Sequence, residues 1–142
     1  MSAISVILVI FTASDTYASQ PDLGAIQHRF VEMGVGVERH HINSEEQWRA
    51  FWARFAMSDP PNIDFRNNDI LVVLGGTQGS GGYSIHIKDV DSRPHRTVVR
   101  LLVCHPPKDS TEVTEVTSPY DVVLAPKLAT PIDWITIEGC NQ

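Results

Sequence analysis

Few of the features that assign a protein sharply to a class are present in this chain. It has two cysteines, Cys104 and Cys140. Neither stands in a Cys-x-x-Cys pair or other metal-type spacing, which removes zinc-ribbon and dithiol motifs. Its long apolar run, Ile4 to Phe11, is too short to span a bilayer as a helix. Basic clusters are absent: 11 Lys and Arg are scattered among 17 Asp and Glu, for a net charge of -6. Nucleic-acid binding needs a concentrated positive footprint, so no nucleic-acid partner is expected, nor adsorption to anionic lipid. There is no internal repeat. What is present is a 42% hydrophobic, 20% charged chain of 142 residues with nine glycines and nine prolines, the composition of one globular domain that turns often.

The N-terminal segment bears on location. Ile4 to Phe11 followed by Thr16-Tyr17-Ala18 has the apolar core and small-residue cleavage site of an export signal, with cleavage before Ser19. The stretch ahead of it contains no Lys or Arg, and the other reading makes Val6 to Phe11 a first strand of the mature fold. The signal reading divides the chain into a signal at 1–18, a leader and first strand at 19–41, and one β-rich domain at 42–142. It implies a periplasmic or extracellular protein without membrane insertion after cleavage. No cysteine follows the apolar segment to take a lipid. In an oxidising compartment Cys104 and Cys140 are a candidate disulfide; in the cytosol they stay thiols.

Gln20 to Gly24 reads as a mobile leader, and Phe30 to Val37 as a strand interrupted by glycines. The clearest element follows. Ser44 and Gln47 form a capping box, Glu45 and Glu46 favour the positive helix end, and Trp48, Phe51, Trp52 and Phe55 recur on one face. The spacing predicts one amphipathic helix ending at Asp59-Pro60-Pro61, with its aromatic face in the core. From Ile70 the pattern changes. Ile70 to Leu74 reads as a strand buried on both faces after a turn at Asn67-Asn68-Asp69, and Tyr83 to Lys88 alternates as a half-wet strand. Strands are further expected over Thr97 to Cys104, Tyr120 to Leu124 and Ile132 to Ile137, with a turn at Asp91 to Pro94. The predicted class is α+β, mainly antiparallel, a sandwich or partly open barrel with one helix.

Three chemistries are tested by the glycines, serines and histidines. Gly75 to Gly82 follows a strand, but no helix and no Lys-Ser/Thr follow it, so it does not make a phosphate loop. Around Ser84 the second glycine of a nucleophile elbow is missing, which leaves a serine hydrolase using Ser84 with His86 as the weakest alternative. His40 and His41 are adjacent on a strand, point to opposite faces and would not share one metal. No catalytic residue, cofactor or metal is assigned. There remains the loop Gly79-Ser80-Gly81-Gly82-Tyr83, whose small residues let another surface approach the backbone closely. Two readings are open: a partner-binding loop, or a long hairpin turn with Tyr83 in the core.

Several segments together carry a resemblance. They are Ser44-Glu45-Glu46-Gln47-Trp48, Ile63-Asp64-Phe65, the buried strand, Gly81-Gly82-Tyr83-Ser84, Pro106-Pro107, Ser118-Pro119-Tyr120-Asp121-Val122-Val123 and Pro126-Lys127. Over Ile42 to Lys127 the chain resembles the PrcB-type protease complex subunit family, named for a lipoprotein subunit of a surface subtilisin-like protease complex. The resemblance implies a non-catalytic accessory domain whose partner is a protein, a protease in the namesake. It also pairs Ser118, Pro119 and Tyr120 with the glycine loop as candidate partner-binding residues. The lipid-attachment cysteine of the namesake is missing here. A more distant likeness is to chagasin-type inhibitors of cysteine proteases, which implies as the alternative function protease inhibition through the Gly79 to Tyr83 loop; only their Gly-Tyr element is present, and Arg93-Pro94-His95 lacks their tryptophan.

Overall fold

In a computed structural model, residues 21–77, 83–105 and 116–139 are described in full, and 9–12 by their backbone. Two helices and seven strands are found among them: β1 (Val9–Thr12), α1 (Gly24–Glu32), β2 (Val37–Ile42), α2 (Glu45–Ala53), β3 (Asn68–Gly75), β4 (Ser84–Arg93), β5 (Arg96–Cys104), β6 (Tyr120–Pro126) and β7 (Ile132–Glu138). The strands form two sheets, ordered β1-β4-β5-β7 and β2-β3-β6, and neither closes into a barrel. Every neighbouring pair is antiparallel except β5 with β7.

The three-stranded sheet is the middle layer. In β3, Ile70, Val72 and Leu74 face the helices and pack with Ile26, Phe30, Trp48, Phe51, Trp52 and Phe55. Leu71 and Val73 point the other way, onto Ile85, Ile87, Val90, Val99 and Leu101 of the four-stranded sheet. All five apolar residues of β3 have no solvent exposure. Alternation sends successive side chains to opposite faces, so a strand covered on both sides must be apolar throughout, as the sequence predicts.

The α2 start follows the capping box. Ser44 Oγ accepts from the Gln47 N–H at 3.2 Å, and the Gln47 side chain accepts from the Asn43 N–H at 2.8 Å. The helix ends at Ala53, earlier than the prolines suggest. The chain then turns under its own aromatics: Trp48 Nε1 donates to the Pro61 carbonyl at 2.9 Å and Trp52 Nε1 to Ser58 Oγ at 3.3 Å.

The N-terminal region is corrected more deeply. Instead of a mobile leader and a strand over Phe30 to Val37, residues 24–32 are a helix, with Leu23, Ile26 and Phe30 fully buried. Gly34 does not mark a bulge. It holds φ +59 just past the helix, where Gly34 N–H donates to Val31 and Val35 N–H to Phe30, a Schellman cap. The strand of this region is β2, starting only at Val37. The expected turn at Asp91 is also displaced: β4 runs on to Arg93, and Pro94-His95 make the turn. Val9–Thr12 pairs with Asp89 to Ser92 at the edge of the four-stranded sheet.

Candidate functional site

Of the glycine loop, residues 79–82 lie outside the described residues, but both ends of its stem are defined. β3 leads into it from the middle sheet and β4 leaves it in the outer sheet. The segment is therefore a crossing between layers, and the hairpin-turn reading is corrected. Gly75 is pressed between the two sheets: a Cβ there would come within 2.9 Å of Pro119 Cγ and 3.2 Å of Ile85 Cγ2. Its N–H donates to the Pro119 carbonyl at 2.8 Å. Gly76 follows at φ +82, and the Thr77 N–H is bonded to the Val35 carbonyl at 3.2 Å. On the far side, Tyr83 sets its ring edge-on to His105 at 4.9 Å and packs on the inter-sheet cluster.

The structure thus brings Pro119 to the stem of the loop, and divides the two tyrosines. Tyr120 lies opposite Leu74 in the ladder and turns to the helix side, its ring edge-on to Phe30 at 5.8 Å. Burial pushes its hydroxyl above the ordinary tyrosine range, and the acids Asp22 and Asp121 add to this. Ser118 is buried at 4% exposure, and its Oγ has no hydrogen-bond partner among the described residues. It lines a cleft of about 370 Å³ with Gln27, His28, Val31, Val116 and Thr117. Cys104 is disulfide-bonded and stands opposite Ser84, next to the stem. Cys140 lies outside the described residues.

Two polar clusters escaped the sequence reading. Asp69, assigned there to a turn, is 1% exposed. One oxygen accepts from the Leu128 N–H at 2.9 Å and bonds His41 Nε2 at 2.7 Å; the other pairs with the Lys127 ammonium. Burial raises the Asp69 carboxyl, but these partners outweigh it, and the net direction is down. Lys127 also donates to the carbonyls of Phe65 and Asn43, so it ties the end of β6 to the starts of β3 and α2. Asp121 accepts from Ile87 N–H across the sheets at 2.7 Å and from Val122 N–H at 2.9 Å. Burial pushes its carboxyl above the usual range.

His40 and His41 have different partners: His40 Nε2 bonds Glu38 at 2.6 Å while His41 is held by Asp69. Among the described residues no group of three or more His, Cys, Asp or Glu is placed to hold a metal ion. Ser84 starts β4 opposite Cys104, and His86 lies opposite Leu102.

These elements define a helix-backed, two-sheet β domain with a glycine-rich crossing held at both flanks, by Gly75 and Thr77 on one side and by Tyr83 on the other. Residues 70–125, from β3 to β6, match the PrcB C-terminal family model, which supports a PrcB C-terminal-like domain in this chain. No curated protein and no solved structure matches the chain.

Proposed function

We propose that the chain is a non-catalytic, exported protein-binding domain that serves as an accessory or stabilising subunit of a protease. The observation that carries this reading is the anchorage of the glycine crossing. Gly75, Pro119 and Ile85 are packed too closely for any side chain at Gly75, and Thr77 and Tyr83 pin the two ends. The glycines in the loop sequence impose no Cβ barrier to close approach of a partner backbone, and the fixed stem offsets part of the entropy that ordering glycines costs. The family match supports a protease-associated setting.

The test is co-purification of the exported chain with proteases of its own cell. Wild type is expected to retain a protease that Gly81→Trp loses, with unchanged far-UV circular dichroism. Equal retention by the two proteins would remove the loop from the proposal. Proteolysis of a standard substrate by the purified chain, abolished by Ser84→Ala, would instead establish an enzyme.

A further inference from the structure

The edges of a sheet are where a β protein either guards itself or accepts another strand. β2, an edge of the middle sheet, is guarded by the consecutive charged or polar residues Glu38, Arg39, His40 and His41. β6 is guarded by Pro126 and by Asp121, whose carboxylate reaches across to β4. β7 is guarded less: its charges are Asp133, paired with Arg96 at 2.7 Å, and Glu138 at its end, and Arg39 of β2 donates to its Thr136 hydroxyl at 2.7 Å. Its sequence, Ile132-Asp133-Trp134-Ile135-Thr136-Ile137-Glu138, contains no Lys, Arg or Pro, and pairs with β5 without a bulge.

The ladder register settles which backbone groups of β7 face outward. Thr97 N–H donates to Pro131 O and Gly139 N–H to Val103 O, each at 3.0 Å. Odd-numbered residues therefore turn their backbone groups to β5. By the two-residue repeat, Ile132, Trp134, Thr136 and Glu138 present theirs to the open edge. No strand among the described residues pairs with that side. Ile135, at the midpoint, is 46% exposed.

We infer that β7 pairs antiparallel with β7 of a second copy, about a two-fold axis through Ile135, joining the two outer sheets edge to edge. The sequence is complementary to itself in that register. Ile132 meets Glu138 of the second copy and Trp134 meets Thr136, and these are the residues with outward backbone groups. Asp133 falls opposite Ile137, so neither acid faces an acid, and the Ile135 side chains meet at the closely spaced, non-hydrogen-bonded position. Sliding the pair until its centre lies on Asp133 would oppose two carboxylates and shorten the ladder. One edge of seven residues is a small contact, and two chains of net charge -6 repel each other. The dimer is therefore weak, and strengthens with added salt.

Sedimentation of the full chain over a range of concentrations tests this. Wild type is expected to move from monomer to dimer as concentration and salt rise. Ile135→Lys, which sets two ammonium groups opposite each other, should weaken association at least about tenfold with unchanged circular dichroism. Independently, Ile135→Cys should cross-link to itself under mild oxidation, because the two Cα atoms would lie roughly 4.5 Å apart, within disulfide reach. Ile137→Cys should not. A wild-type chain that stays monomeric to its solubility limit overturns the inference, as does a dimer that survives Ile135→Lys, or cross-linking by Ile137→Cys without cross-linking by Ile135→Cys. A strand supplied by a different protein would show itself as that monomer.

Discussion

Glu38 and Asp121 are expected to titrate in opposite senses, and their neighbours explain why. Arg54 forms two hydrogen bonds to the Glu38 carboxylate, at 2.7 and 2.8 Å, and holds its pKa at about 2 against an ordinary 4.5. The stability this pair contributes is present above pH 4.5 and lost as the pH falls towards 2. Asp121 is pushed above its ordinary 3.8 by burial, so its contribution is present below 3.8 and declines as the pH rises through the folded value. Urea unfolding between these limits should show a shallower acid loss in Glu38→Gln and a shallower decline above pH 3.8 in Asp121→Asn. An acid limb in Glu38→Gln as steep as that of wild type would mean that Arg54 is not what holds the carboxylate down. At this scale the sequence was least legible. A polar residue in Asn67-Asn68-Asp69 reads as solvated because its local neighbours are turn formers. Asp69 is buried only because His41 and Leu128, 28 and 59 residues away, and the neighbouring Lys127, supply its partners.

Among the elements, legibility followed how local the determining forces are. α2 and β3 were readable because a capping box, an aromatic face and an unbroken apolar run each declare themselves within one window. α1 is not legible although Ile26 and Phe30 stand one turn apart, because Gly34 and Gly36 together read as interruptions of a strand. The two glycines are not equivalent. Gly34 sits at φ +59, while Gly36 has an ordinary backbone, and an added Cβ meets nothing at either. Gly34→Ala should destabilise by about 1 kcal/mol through left-handed strain. Gly36→Ala should be neutral or stabilising by up to about 1 kcal/mol, through lower unfolded-chain entropy. Denaturant midpoints that shift equally for both would contradict the Schellman cap at the end of α1.

For the whole molecule, the layer order was beyond local pattern. Nothing in Gly75 to Tyr83 distinguishes a hairpin from a passage between sheets; only pairing of β3 with β6 and β4 with β5 does. The same topology puts β1 at a sheet edge, so its removal is expected to be tolerated. β1 is a four-residue edge whose pairing reaches only Asp89 to Ser92. A chain beginning at Ser19, as export processing would leave it, should keep its circular dichroism and melt a few degrees lower, on the order of 1 kcal/mol. Failure of that chain to fold would place 1–18 within the mature domain. The middle sheet has one more consequence, for how this domain can be exchanged between proteins. Residues 70–125 carry the family signature, yet a piece of that length would leave Ile70, Val72, Leu74 and Val122 facing water, because Phe30, Trp48, Phe51 and Trp52 lie outside it. The smallest portable unit is thus larger than the stretch by which its kinship is recognised, and must bring its own helical cover.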